Sequence, residues 1–249
     1  MPSRDEYLDS LHRDVDLFAA AVRAGGDLTQ PVDGCPDWDF AALVAHLGTL
    51  HRYITAGIET GGKPEGGFPE PPAERAAYAD WLAEGGAALE AALRARPDDE
   101  PCWTFFPNTE QVIGTWVRRM AQEIAVHRYD AEMAATGTAE ALDPAIAKDG
   151  IDEYFDLFVE RVDARRPIRI GDVSLHLHAT GDAEGEWMVR CGDHAPAVSN
   201  EHAKGDVALS GGASDLLLTI WGRVDPEEVG VAVFGDPEVW SAFQAAASI

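Results

Sequence analysis

Residues 116–130 read WVRRMAQEIAVHRYD, and this stretch decides how the first half of the chain folds. Glu123 and His127 stand four residues apart, so on an α-helix they share one face, about one turn from each other. Trp116 and Met120 lie on the same face, which makes it the apolar face of a long amphipathic helix. A carboxylate and an imidazole therefore point into a core, where burial is costly unless they are compensated. Two compensations are open from the residues alone: the groups form a buried ion pair, or they supply half of a metal site.

Three further helices are predicted in the first part of the chain. The first follows a capping box that starts at Ser3, and the second follows Asp39, a residue type preferred as N-cap. The third is an alanine-rich segment over about 73–96, whose apolar residues recur at helical spacing. Four long helices with short connections indicate an antiparallel bundle, in whose core facing helices often build metal sites. The sequence thus predicts a four-helix domain over residues 1–140.

The start of the helix that carries Glu123 is also predicted from the sequence. Asn108 and Gln111 have the spacing of a second capping box. From there the helix is predicted to run to about Ala135, because Gly137 is a typical residue just beyond a helix end.

The second half of the chain changes its period. Asp143-Pro144 has the N-cap and N1 chemistry of another helix, and further on apolar and polar residues alternate as in strands with one buried face. Residues 141–249 are therefore predicted to form an α+β domain with a small, antiparallel-rich sheet. His176 and His178 alternate with the core residues of one strand. Their H-x-H spacing suggests a second metal site, but a solvated sheet face explains them more simply.

The overall composition bounds the partners and the compartment. The chain has 249 residues, with 44 acidic against 19 basic side chains and a net charge of -25. Such a field repels phosphate backbones and anionic lipids, so neither nucleic acid nor a membrane is expected as a partner. The chain shows no signal-like start and no apolar run of about 20 residues, so we expect a cytoplasmic protein, either a monomer or a homodimer. The three cysteines lack a CxxC pair, so any metal is expected to have nitrogen and oxygen ligands.

A third metal ligand would come from the second helix, which carries two histidines. Zn²⁺ held by two His and one Glu is a known catalytic arrangement with an open fourth position. On a helical wheel His51 lies nearer the apolar stripe than His46, so amphipathicity alone favours His51, although a lone His beside such a stripe is more often a core residue. Asp130 follows His127 by three residues. It is either a partner for the second N–H of that imidazole or an acid on the helix surface.

Two segments, ALVAHLGTLHRY and RRMAQEIAVHRYDAE, resemble the two motifs of the mycothiol-dependent maleylpyruvate isomerase family. The resemblance implies a DinB-like four-helix bundle. It also implies that the metal ligands are the histidine of the VAHL motif, here His46, and the two residues of the E-x3-H motif, here Glu123 and His127. It thereby selects His46 over His51. Two later segments, AKDGIDEYFD and LLLTIWGRVDPEEVGVAVFGD, are similar to the family's smaller C-terminal domain, which has a sterol-carrier-like α+β fold.

The same resemblance implies a function. Three ligands would hold one divalent ion, best Zn²⁺, and leave a position for a thiol, which in that family is mycothiol. The implied protein is a metal- and mycothiol-dependent isomerase or S-transferase that acts on a small electrophilic substrate. Arg223 best suits a substrate carboxylate, because a guanidinium binds a carboxylate through two hydrogen bonds, although a surface arginine at a helix end is the commoner case. The alternative is a non-catalytic protein that binds a small molecule or lipid and keeps a structural metal site.

Overall fold

Four long helices make up the first unit of the chain, Pro2–Leu142, in a computed structural model that describes residues 1–248. The helices are α1 (Arg4–Ala24), α2 (Phe40–Thr60), α3 (Tyr78–Arg94) and α4 (Ile113–Thr136). Each buries an apolar stripe against the others, and the predicted four-helix bundle is confirmed. None of the described helices is both long and apolar enough to cross a membrane.

The first two helices begin where the sequence predicts. The hydroxyl of Ser3 accepts a hydrogen bond from the backbone N–H of Glu6, whose carboxylate in turn accepts from the N–H of Ser3. Asp39 caps α2 by accepting a hydrogen bond from the N–H of Ala42 at 2.8 Å. α2 ends at Gly61, whose φ of 68° lies in the left-handed region that glycine tolerates best.

The predicted starts of α3 and α4 are wrong. A 3₁₀ turn, Arg75–Ala77, precedes α3, so the regular helix begins at Tyr78. α4 has no capping box, because its N-cap is Val112, which has no side-chain acceptor. The amide of Gln111 is used instead within the preceding loop, where it accepts from the N–H of Thr104 and donates to the carbonyl of Phe106.

Two glycines, Gly86 and Gly48, allow the helices of the bundle to approach closely. α3 continues through Gly85 and Gly86, and a Cβ on Gly86 would lie 2.6 Å from a methyl carbon of Val15 in α1. In α2, a Cβ on Gly48 would lie 2.1 Å from the ring of Trp81. Because real Cβ atoms do not come this close to their neighbours, the missing side chains set the spacing of α3 against α1 and α2.

Buried Arg128 fixes the end of α4 to the segment that follows it. Its guanidinium donates to the carboxylate of Glu132 at 2.7 Å and to the backbone carbonyls of Glu140 and Ala141 at 2.6 and 3.1 Å. It also lies 3.6 Å from the buried carboxylate of Asp14 in α1. A single arginine thus connects two helices and the chain beyond them.

The second unit, which begins at Asp143, is α+β as predicted. Its helical part begins with α5 (Pro144–Glu153), capped by Asp143, and continues through a π-helical segment (Tyr154–Val159) into α6 (Glu160–Arg165). The other elements are β1 (Ser174–Thr180), β2 (Gly185–Arg190), β3 (Ala197–Ser199), β4 (Val207–Gly212), α7 (Ala213–Ile220), β5 (Ala232–Gly235) and α8 (Pro237–Ala247). The strands form one sheet in the order β3-β2-β1-β4-β5, with every described pair antiparallel except β1 and β4.

The two faces of β1 differ in character. Leu175 and Leu177 are fully buried on the core face. The interpretation of a simply solvated face is wrong for His176, which is only 6% exposed, whereas the side chain of His178 is 37% exposed. Both imidazoles lie against the carboxylate of Glu186 on β2.

Candidate metal centre

Helices α2 and α4 bring the three predicted ligands together inside the first unit. The Nε2 atom of His46 lies 2.9 Å from Oε1 of Glu123, and Nε2 of His127 lies 3.6 Å from the same oxygen. The two imidazole centroids are 5.4 Å apart, and the three donor atoms all lie within 4.8 Å of one another. Glu123 and His127 share a face because they stand one helical turn apart, and α2 supplies the third donor from the opposite side.

The remaining polar atoms of Glu123 and His127 are held by neighbouring side chains. Arg119, one turn before Glu123, donates from Nη2 to Oε2 at 2.7 Å. Asp130 places Oδ2 2.8 Å from Nδ1 of His127, so it is the imidazole's partner and not a surface acid. These contacts leave Oε1 of Glu123 and Nε2 of His127 directed to the common centre. A carboxylate behind a histidine is the usual way in which proteins orient a metal-binding imidazole.

The charges of the cluster follow from its burial and its pairing. Burial by itself raises the pKa of Glu123, but the charge of Arg119 and the bonds from the two histidines outweigh it and hold that pKa well below the ordinary value. Burial lowers the pKa of His127, yet its hydrogen bonds with Asp130 and Glu123 dominate and raise the pKa to about 8. Without an ion, Glu123 is therefore ionised and His127 carries a proton at neutral pH.

His51, which the helical wheel favours, lies outside this cluster. It is fully buried in α2, and the three-donor group does not include it. Burial and the charge of Arg52 lower the pKa of His51 to about 4, so the imidazole is neutral at physiological pH. The most buried histidine of α2 is thus a core residue, whereas His46 at the edge of the apolar stripe reaches Glu123.

The donor set fits a borderline divalent cation. Two imidazole nitrogens and one carboxylate oxygen are ligands that Zn²⁺ accepts. Among residues 1–248, no fourth His, Cys, Asp or Glu joins His46, Glu123 and His127 in this group. A bound ion would therefore keep one coordination position free of protein, as catalytic zinc sites do.

Two residues near the cluster were not identified from the sequence. The indole of Trp38 lies 4.8 Å from the ring of His46 and 6.1 Å from that of His127, between centroids. The thiol of Cys35 lies 4.0 Å from Oδ2 of Asp130, on the side of His127 that faces away from Glu123. Both belong to the loop before α2, whose path the local sequence does not reveal.

Arg223, the predicted substrate-binding residue, follows α7 in the second unit. Its Nη1 atom donates to the carbonyl of Trp221 at 2.9 Å, and its guanidinium lies 5.7 Å from the centroid of the Trp221 ring. Contacts with the backbone and with an aromatic face restrain the side chain. A role in binding a carboxylate stays a prediction.

Comparison with known proteins covers nearly the whole chain. Two solved structures of a mycothiol-dependent maleylpyruvate isomerase, one of them a histidine-to-alanine mutant, match with TM-scores of 0.64 and 0.65. They are 14% and 11% identical in sequence, and each match covers 93% of both chains, which shows a shared fold. No curated protein sequence matches. The family model described as "Mycothiol maleylpyruvate isomerase N-terminal domain" matches residues 8–132, and the "MDMPI C-terminal domain" model matches residues 132–242. The chain therefore belongs to the mycothiol maleylpyruvate isomerase family.

Proposed function

We propose that this protein is a metal- and mycothiol-dependent enzyme of isomerase or S-transferase type, acting on a small electrophilic substrate. The observation that carries the proposal is the convergence of His46, Glu123 and His127 in a chain of this family. The solved isomerase structures support the fold, and their mycothiol dependence is the reason for proposing the same thiol here.

The side chains around the proposed ligands have separate tasks. Asp130 would hold His127 with Nε2 towards the ion, since it lies against Nδ1. Arg119 holds Oε2 of Glu123, so the carboxylate would bind the ion through Oε1 alone. Trp38 covers one side of the His46 ring and limits access of water there.

The chemistry proposed for the site needs both a thiol and an ion. When bound, the ion and mycothiol would together supply a thiolate that adds reversibly to a conjugated double bond, which permits rotation in an isomerase and leaves a stable adduct in a transferase. Cys102 and Cys191 do not replace this thiol, because burial raises the pKa of Cys102, and that of Cys191 to about 11. Arg223 is proposed to bind an acidic group of the substrate through its guanidinium.

A structural metal site is the alternative. Such sites are normally closed by four protein ligands. The three-donor group, with His51 outside it and Asp130 on the far side of the imidazole, supports the catalytic proposal.

The metal part of the proposal is tested by metal content. Untagged protein and the variants His46→Ala and Glu123→Ala would be loaded with Zn²⁺, desalted and analysed by mass spectrometry, with His12→Ala as the control because that histidine is exposed. Each site variant should lose one equivalent that the control keeps. Unchanged metal content in both site variants would refute the site.

The activity part is tested with mycothiol and two substrate classes. Loaded protein would be assayed for cis–trans isomerisation of an unsaturated keto acid and for conjugation of mycothiol to a simple electrophile. Turnover that needs mycothiol and disappears in Glu123→Ala supports the proposal. A protein that binds the ion yet turns over neither class would instead support the non-catalytic alternative. Arg223→Lys should raise KM for an acidic substrate with little change for a neutral one.

A further inference from the structure

A second group of side chains of metal-ligating type lies on the sheet of the second unit. β1 presents His176 and His178 on one face, because residues two apart in a strand point the same way. In the antiparallel register Glu186 of β2 stands directly opposite His178. Three potential ligands therefore meet across two adjacent strands.

The fourth side chain comes from the segment after β3. The Nδ1 atom of His202 lies 3.0 Å from Oε1 of Glu186. Asn200 fixes this segment against β2, since its side-chain amide donates to the backbone carbonyl of Glu186 at 3.1 Å. His202 thus reaches the strand pair through a hydrogen-bonded connection and not by chance proximity of a free loop.

The three imidazoles converge on one carboxylate. His178 Nδ1 lies 2.5 Å from Oε1 of Glu186, and Nε2 of His176 contacts the other oxygen. The His202 ring centroid lies 5.1 Å from that of His176 and 5.9 Å from that of His178. The four donor atoms all lie within 4.8 Å of one another. A merely solvated sheet face would not require three histidines to contact one acid.

We propose that His176, His178, Glu186 and His202 form a second metal site, for a divalent d-block cation such as Zn²⁺. Tetrahedral Zn²⁺ with bonds of about 2.0–2.1 Å needs its donor atoms about 3.3–3.4 Å apart, and the four donor atoms here already lie within 4.8 Å of one another. In the ion-free state the carboxylate of Glu186 takes the place of the cation as the common partner of the imidazoles. The ion would replace the protons in these contacts.

The number of ligands defines the role of this site. Four protein ligands close a tetrahedral shell, which is the property of structural zinc sites. The ion would connect β1, β2 and the segment that carries His202, which otherwise has no regular secondary structure. We therefore expect the ion to stabilise β1, β2 and the segment that carries His202, and to take no part in catalysis.

The experiment compares metal stoichiometry in untagged, full-length protein. Wild type and the variants His202→Ala and Glu186→Gln would be stripped with EDTA, titrated calorimetrically with Zn²⁺ and compared with His194→Ala, a variant of an exposed histidine in the same unit. His202→Ala is the main variant, because its side chain is 74% exposed and its removal leaves the core intact. Each cluster variant should lose one equivalent, or bind it at least ~10-fold more weakly, while His194→Ala keeps it.

Two results would overturn the inference. Equal stoichiometry and affinity in all four proteins would show that the cluster binds no ion, and an equal loss in His194→Ala would show that surface histidines bind zinc without a defined site. The outcome is separate from that for the proposed active site, because His46→Ala removes its own equivalent. Hydrogen exchange gives an independent measurement. Zn²⁺ should slow amide exchange over residues 200–206 in wild type and not in His202→Ala. Unchanged exchange rates in wild type would also overturn the proposed second metal site.

Discussion

Replacing His51 with leucine should reduce the acid sensitivity of the helical bundle while leaving metal binding intact. His51 is fully buried in α2, and burial together with the charge of Arg52 lowers its pKa from 6.5 to about 4. Between these values the unfolded chain binds a proton at His51 that the folded chain does not bind. Stability therefore increases with pH across this window and falls as pH decreases from about 6.5 towards 4.

The magnitude follows from the two pKa values. Each pH unit within the window changes the free energy of unfolding by about 1.36 kcal/mol. Between pH 7.0 and 5.5, His51 alone should therefore cost wild type about 1.2 kcal/mol, which the leucine variant would not lose. The other titrating groups, among them His127, are present in both proteins and cancel in the comparison.

Urea unfolding followed by far-ultraviolet circular dichroism would measure the effect, with EDTA present so that metal release does not contribute. His194→Ala is the matched control, because it removes an exposed histidine. A leucine variant with the same pH dependence as wild type would refute the assignment of His51 as a neutral core residue. Loss of one zinc equivalent in the same variant would show instead that His51 is a ligand, as the helical wheel suggested.

Three further substitutions test other parts of the fold and the site. Asp130→Asn should weaken zinc binding at the first site about 10–100-fold, because an amide orients the imidazole less well, and an unchanged affinity by chelator competition would contradict this. Gly48→Ala should destabilise the bundle by about 1–3 kcal/mol, since its Cβ would lie 2.1 Å from the ring of Trp81. The midpoint of urea unfolding measures this loss, and an unchanged midpoint would show that the ring moves easily. Arg128→Met should cost about 3–5 kcal/mol, because it removes a buried guanidinium that pairs with Glu132, binds two backbone carbonyls and is one of two cationic neighbours of Asp14. A small loss by the same assay would mean that water and Arg13 replace these contacts.

Helical periodicity predicts the bundle well because it is a local property of the chain. Ser3 and Asp39 cap their helices as predicted, since the acceptor and the N–H it serves lie within three residues. The predicted capping box at Asn108 and Gln111 is wrong because contacts outside this short pattern compete for the amide of Gln111. Gln111 finds stronger partners in a folded loop, and no local pattern indicates which of the two uses the amide will prevail.

The proposed ligand on α2 shows where periodicity misleads. A wheel ranks residues by their distance from the apolar stripe, so it selects the most buried histidine, His51. A metal ligand needs instead to lie at the edge of the stripe, where it faces another helix and still reaches open space. His46 does so, but its distance to Glu123 depends on how α2 and α4 pack, and the motif resemblance indicated it where amphipathicity could not.

The sheet was less predictable than the bundle. β3, with only three residues (Ala197–Ser199), is too short for a visible alternation and was missed. The histidine cluster was missed as well, because His202 lies far along the chain from His176 and joins it only through the fold. The H-x-H spacing places two histidines of the cluster on one strand, but no residue nearby in the sequence indicates that Glu186 and His202 join them.

The two clusters contain similar residue types but differ in their number of donor atoms, and this difference arises from the elements that carry them. A helix offers two ligands per face, one turn apart, so α4 contributes Glu123 and His127 and the facing helix adds one more. Neighbouring polar groups then hold the second oxygen of Glu123 and the second nitrogen of His127, which leaves three donors and a free position. In the sheet, β1 carries His176 and His178, and β2 places Glu186 directly opposite His178. The segment after β3 adds His202 as the fourth proposed ligand. The helical group thus has three donors and the sheet group four, and this difference is the reason for proposing reaction chemistry at the first and stabilisation at the second.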